Sequence, residues 1–232
     1  IHLEKERSEQ NRFKLASSKY FLTSSLTNED RLRNKMYKEE VKRTELKKKI
    51  FSIDEYLKSL DLQAIVRTPN DKDLKRVEQM TQRTNQFNLT TKRYDSQGIK
   101  QLYDNKKNYI LILEAKDKFG PYGTCGLIIL NIKNNNAFID VFLMSCRVIG
   151  RGIENLFLLE SLKQISKKEK LIKNFIGEFI PTKKNEQVKN FYQDNGFIKQ
   201  SSKNNSKKYS IKVKELKKIK KKNYITLKKK FS

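Results

Sequence analysis

The sequence predicts an α/β (α+β) protein with a mixed, mainly antiparallel central sheet flanked by helices and an N-terminal helical extension. Three observations carry this expectation. The runs Tyr109 to Lys116, Gly123 to Ile132 and Ala137 to Met144 are strand-like and separated only by turn residues, the pattern of consecutive antiparallel hairpins. The run Ile153 to Ser166 sets Ile153, Leu156, Phe157, Leu158, Leu162 and Ile165 on one broad apolar face, which is a helical period. A chain of 232 residues with 13 Phe and 10 Tyr also has enough apolar surface to offset the entropy of ordering a core.

In chain order, residues 1 to about 60 read as helices, dense in Lys, Glu and Leu and nearly free of Gly and Pro. Thr27 is placed to cap a second helical stretch, with Asp30 three residues on. Leu32, Met36 and Leu46 give that stretch only a sparse apolar stripe, so it is expected to lean on a neighbouring domain. A short strand from Leu62 ends at Pro69, a helix follows over Asn70 to Thr84, and Gly98 falls in a second short helical piece. After the three hairpin strands and the strong helix come a strand (Leu171 to Ile180), a helix (Glu186 to Asp194) stopped by Asn195-Gly196, and a last strand near Tyr209 to Ile211. The order is β-α-α-β-β-β-α-β-α-β. The expected divisions are residues 1–60 as a helical linker, 61–213 as the folded domain and 214–232 as a Lys-rich tail.

Charge and composition exclude several classes. Lys and Arg number 52 against 26 Asp and Glu, a net charge of +26, and half of it lies between Lys199 and Ser232, where 14 Lys face one acid, Glu215. That stretch fits either a tail for nucleic acid or an anionic membrane surface, or the compositional drift of an AT-rich genome. It contains no Arg, the side chain suited to bidentate phosphate recognition, so drift is favoured and a nucleic-acid partner is disfavoured. Two Cys and one His supply neither a disulfide framework nor a zinc site, and no metal is expected. No apolar run approaches the roughly 20 residues of a membrane span, and the charged start is unlike a signal peptide, so a cytoplasmic location without a transmembrane segment is expected. An opening Ile rather than Met fits a piece of a longer chain.

Five of the eight glycines fall between Gly120 and Gly152. In Cys146-Arg147-Val148-Ile149-Gly150-Arg151-Gly152, which joins a strand to the strongest helix, Gly150 and Gly152 let the turn present successive amide protons. The helix start adds its positive dipole end, so an anion such as pyrophosphate is well served there, with Arg147 and Arg151 supplying charge. The same glycines also suit a plain tight turn between strand and helix.

Arg-x-x-Gly-x-Gly after the fourth strand of this element order resembles the GNAT acyltransferase fold. The resemblance implies that Arg147, Gly150, Arg151 and Gly152 hold the pyrophosphate of coenzyme A or the phosphate of a carrier-bound phosphopantetheine. Further segments are similar to the C-terminal half of the FkbH-like family, also described as HAD-superfamily subfamily IIIC proteins: Thr81 to Tyr94, Lys116 to Gly123, Leu143 to Glu154, Ile180 to Asn185 and Phe191 to Phe197. The likeness runs from about Leu26 to Phe197. Such proteins join an N-terminal HAD phosphatase-like domain to a GNAT-like domain and load a glyceryl unit from a phosphorylated glycerate onto an acyl carrier protein. Residues 1–60 are then the linker and remnant of that upstream domain, whose Asp-x-Asp-x-Thr motif does not occur in this chain. The implied partners are an acyl carrier protein and the HAD-like domain upstream.

Within that frame Cys146 is the candidate nucleophile, because a thiolate is favoured near a helix start or a cation. It also reads as a small residue ending a strand, and Cys125 reads as core filler. Thr84 to Asn88 concentrates amides and hydroxyls at a helix end, where Asn85, Gln86 and Asn88 either grip a small polar acid or cap the helix. Asp117 and the Phe119-Gly120 turn divide between turn chemistry and site lining. Thr182 and Asn185 follow Pro181, where the GNAT resemblance implies a gap between strands four and five for the pantetheine arm; they either bind an acyl carbonyl or cap the next helix. Tyr192 is a candidate general acid for the leaving thiol or, with Phe191 and Phe197, part of the core. The expected function is transfer of a small glyceryl-like acyl group to a carrier-protein thiol, possible through a Cys146 thioester. The alternatives are an acetyl-CoA-dependent N-acetyltransferase and a non-catalytic basic binding module.

Overall fold

The computed structural model describes residues 33–229 other than 204 and 220. The expectations for Thr27 and Leu32 lie outside the described residues.

Among the described residues eight strands form one sheet, in the order β6-β7-β5-β4-β3-β2-β1-β8. They are β1 (Gln63–Arg67), β2 (Asn108–Asp117), β3 (Gly120–Lys133), β4 (Asn136–Met144), β5 (Asn174–Phe179), β6 (Ile198–Lys203), β7 (Ser206–Lys212) and β8 (Thr226–Lys229). The β4–β5 and β1–β8 pairs are parallel and the rest antiparallel. The central hairpins form as the sequence predicts. Asn134 and Asn135 hold φ of 49° and 57° between β3 and β4, a conformation Asn tolerates and tight hairpin turns require.

Helices cover both faces. On one side α3 (Asp71–Arg83) and α4 (Ser96–Asp104) pack Val77, Met80 and Ile99 against Ile110, Ile112, Leu127, Ile129, Val141 and Leu143. Asn70 and Asp73 close a reciprocal cap at the start of α3. On the other side α5 (Ile153–Lys168) buries Ile153, Leu156, Phe157, Leu158, Leu162 and Ile165, the face read from the sequence.

Before the sheet lie α1 (Arg33–Lys49) and α2 (Ile53–Ser59). The α1 face that meets the domain includes Met36, Glu39 and Arg43, each at most 7% exposed, and Leu46 packs with Tyr56, Leu57 and Leu60, so an acid and a base join the sparse apolar stripe.

Three expectations are corrected. The strand at 171–180 contracts to β5, with Leu171 exposed. The helix at 186–194 divides into a 3₁₀ turn, Glu186–Val188, and one helical turn, α6 (Phe191–Asp194), because Val188, Phe191 and Tyr192 all turn into the core. Residues 214–229 are not a free tail: Leu216, Ile219 and Ile225 are buried and β8 pairs with β1. Single apolar residues spaced among lysines gave no periodic pattern there. On β6, at the sheet edge, Lys199 also discourages pairing with another chain.

Candidate active site

Parallel strands β4 and β5 pair only through Asn136–Ile139 and Asn174–Gly177. Their C-terminal halves diverge, and such a crevice at the carboxyl ends of strands is the usual ligand position in open sheets. Here it is filled by the chain itself. Leu89 N donates to Phe142 O at 3.1 Å, Met144 N to Phe87 O at 2.9 Å, and Ile180 N to Leu89 O at 2.8 Å, so residues 87–89 run as an extra strand between β4 and the end of β5. Phe87, Asn88, Leu89 and Thr90 are each at most 2% exposed. The Phe87 ring lies 5.0 Å from Phe191 and 5.9 Å from Phe142. Burying Phe87 and Leu89 contributes on the order of 3–6 kcal/mol.

Most of the expected substrate-binding residues serve this insertion. The Asn185 side chain, fully buried, donates through Nδ2 to Asn88 O and Ile180 O, both at 2.9 Å, and accepts from Thr182 N at 2.7 Å. Thr182 Oγ1 accepts from the backbone N–H groups of Lys184 and Asn185. Asn88 Oδ1 accepts from Thr91 N at 2.9 Å and its Nδ2 donates to Thr84 O. Asn85 Oδ1 accepts from Arg93, while Gln86 is exposed. Asn88, Thr182 and Asn185 therefore hold the inserted strand rather than a free substrate site. Asn185→Ala removes the partner of one buried and two part-buried backbone groups and is expected to cost about 2–4 kcal/mol, read from urea unfolding.

At the end of β4 the chain enters a 3₁₀ turn, Cys146–Val148, and then the glycine loop. Cys146 is exposed and Cys125 buried; burial pushes the Cys125 thiol up to about 12. Gly150 (φ 77°) faces open space, whereas Gly152 (φ 73°) lies under Lys222 and Tyr224. Both values favour glycine. Arg147 Nε donates to Ser145 Oγ at 3.2 Å, and its guanidinium also meets Met36.

Arg151 turns inward. It donates to the Tyr122 hydroxyl and lies 3.3 Å from Glu40 and 3.8 Å from Asp117. Asp117 also takes Arg43 in two hydrogen bonds of 2.7 and 2.9 Å, the Tyr122 hydroxyl at 2.5 Å, and the backbone N–H groups of Phe119 and Gly120. Burial alone would raise the Asp117 carboxyl, but Arg43 and Tyr122 hold it below the usual carboxylate range. Asp117 is thus both the turn residue and the centre of a buried ionic cluster that joins α1, the β2–β3 hairpin and the loop. The i, i+4 pair Glu39 and Arg43 in a weakly apolar helix was the sequence signal for it.

The expected anion site also contains Glu154. Burial raises its carboxyl above the usual range, and the backbone N–H groups of residues 150 and 152–154 draw it partly back. Its Oε2 is buried without a hydrogen-bond partner. Of the four expected anion-binding residues, Gly150 faces open space and Arg147 is half-buried without an acidic partner among the described residues, while Gly152 and Arg151 are covered.

Tyr192 is corrected from candidate acid to core residue. It is 1% exposed, its hydroxyl has no hydrogen-bond partner, and its ring packs on Phe191, Phe197 and Tyr209 and over Gly177. Burial and then the charge of Glu178 hold its pKa well above the ordinary phenol value. Tyr192→Phe removes an unpaired buried hydroxyl and is expected to stabilise the protein by about 1 kcal/mol, measured by thermal or urea unfolding.

No protein-family model matches the chain, and no curated protein matches it. Among solved structures, a domain from Methanocaldococcus jannaschii DSM 2661 aligns with a TM-score of 0.52 at 16% identity, over 66% of this chain and 99% of that one. The spermidine N-acetyltransferase from Vibrio cholerae, solved with CoA and spermine, aligns with a TM-score of 0.51 at 15% identity, over 66% and 98%. The domain has a GNAT-like fold. At these identities the likeness concerns the fold, and chemistry must be argued from the residues. Among the described residues no group of His, Cys, Asp and Glu could hold a metal ion, and no helix is long and apolar enough to cross a membrane.

Proposed function

We propose that this domain is an acyltransferase of FkbH-like type that carries a small glyceryl-like group on Cys146 and passes it to the phosphopantetheine thiol of an acyl carrier protein. The observation that carries this reading is the exposed Cys146 thiol at the end of the central strand, beside open Gly150. The Cys146 thiolate attacks the carbonyl of an acyl phosphate, phosphate departs, and a thioester forms. The pantetheine thiolate then attacks that thioester and restores the Cys146 thiolate, each thiol having released its proton to solvent. A chain with net charge +26 suits an acidic carrier by electrostatic steering. The bonds between β4 and residues 87–89 bear alike on a coenzyme A arm and on a carrier's pantetheine arm, so transfer from acetyl-CoA stands as the second reading.

The test is intact mass after incubation of the chain, with its HAD-like partner domain, with phosphorylated glycerate and carrier protein. A glyceryl adduct on the chain that is absent in Cys146→Ser supports the route. Carrier acylation that proceeds undiminished in Cys146→Ser overturns it.

A further inference from the structure

We propose that the bare half of the sheet face shared with α3 and α4 packs on a second copy of this chain, about a two-fold axis running along the strands between β5 and β7. Those two helices pack only on residues of β2, β3 and β4. Side chains alternate along a strand, and Ala137, Ile139, Phe175, Tyr209 and Ile211 all enter the core on the α5 side. Phe138, Ile176 and Ser210 therefore point to the opposite face, where no described helix covers them. They are direct cross-strand neighbours, Phe138 of Ile176 and Ile176 of Ser210, and Ser210 continues to Ile198 on β6. One row across four strands thus carries three large apolar side chains, with Phe138 38% and Ile198 60% exposed. Single exposed apolar residues are ordinary, but such a row on an uncovered sheet face marks a contact surface.

The charges beside the row select the occupant. On one side of it Glu178 on β5 neighbours Lys208 on β7, and on the other Asn174 neighbours Lys212. Glu178 accepts from Ser206 Oγ, but neither it nor Lys208 has an ion-pair partner among the described residues. A two-fold along the strands exchanges β5 with β7 and β4 with β6. Glu178 then faces Lys208 of the second copy, Phe138 faces its Ile198, and Lys212 faces its neutral Asn174. Each contact occurs twice, as an isologous interface requires. Face-to-face sheets lie about 10 Å apart with nearly aligned strands, within reach of these side chains. A two-fold across the strands would instead set Lys208 against Lys212, and a uniformly acidic partner would meet Glu178 with like charge. The axis follows the strands, so both turns bearing Cys146, beyond the carboxyl end of β4, lie at the same end of the pair and away from the contact. The pairing does not rest on the acyl-transfer reading.

Sedimentation equilibrium of the whole chain tests this. In about 0.15 M salt the chain is expected to form a dimer with Kd on the order of 10 μM, as suits a small interface. Glu178→Lys and Lys208→Glu are each expected to weaken self-association about tenfold or more, because each sets like charges against one another twice across the axis. An equimolar mixture of the two variants is expected to recover the parent's association, since both contacts between unlike chains are complementary again. The neighbours within each chain stay mismatched in that mixture, so recovery reads the contact between copies. Ile198→Ser, a neutral change at an exposed position, is expected to weaken association about tenfold with the urea midpoint kept. The mass of a single chain at about 200 μM, parent-like association in the charge variants or in Ile198→Ser, or a mixture that associates no better than either variant alone overturns the proposal. A monomer whose Ile176 and Ile198 methyl signals shift on adding acyl carrier protein overturns it in favour of the carrier.

Discussion

Cys146→Ser lowers carrier acylation by an expected factor of about 10³ or more, because no residue acting as nucleophile is exchanged without a loss of this order. The same change is expected to leave unfolding free energy within about 0.5 kcal/mol, since the side chain is exposed and ends a strand without holding it. The combination separates a nucleophile from a structural cysteine. Rapid-quench acylation rates and urea unfolding on the same preparations read the two quantities. Cys125 provides the internal comparison: it is buried and its thiol is held up near 12, so Cys125→Ala is expected to affect packing more than acyl transfer. Equal rates for Cys146→Ser and the parent chain would end the covalent reading.

The second large effect concerns stability. Arg43→Ala is expected to cost about 3–5 kcal/mol, because it leaves Asp117 buried without its bidentate partner. The loss extends beyond one pair. Arg43 also stacks on Tyr122 at 4.2 Å and lies 4.0 Å from Glu39, whose carboxylate oxygens are buried without hydrogen bonds. Removing it is therefore expected to loosen α1 from the β2–β3 hairpin. The pH dependence follows from the Asp117 carboxyl, which lies below its ordinary value of 3.8 in the folded protein. A depressed folded value makes the contribution complete above about pH 4 and lost as pH falls through the folded value. Urea midpoints measured down the acid range should fall for the parent chain and flatten in Asp117→Asn. An unchanged acid limb in Asp117→Asn would assign the acid sensitivity to other carboxyls.

The exposed place of Cys146 after a strand was easier to read from the chain than the role of the amide-rich segment. Thr84 to Asn88 carries the residue types of a polar binding site, and nothing local distinguishes an Asn that grips a ligand from one that secures a backbone. The difference lies in partners far away: Asn185 bonds Asn88 O across 97 positions, and Phe87 pairs with Met144. The glycine loop was legible as a tight strand-to-helix turn because glycine at two alternate positions before a helix has a local conformational meaning. Whether its arginines face outward was not, since Arg151 is turned in by Tyr122, Glu40 and Asp117 from three separate elements.

The sequence by itself determined the hairpin sheet, the apolar face of α5 and the place of Cys146 just after a strand, because periodicity, turn residues and motif spacing are local properties of the chain. Only the tertiary structure decided that residues 87–90 occupy the crevice, that Tyr192 belongs to the core, and that lysine-rich residues 226–229 complete the sheet. Those outcomes depend on which distant backbone groups remain unpaired once the core has closed, and local patterns carry no record of that.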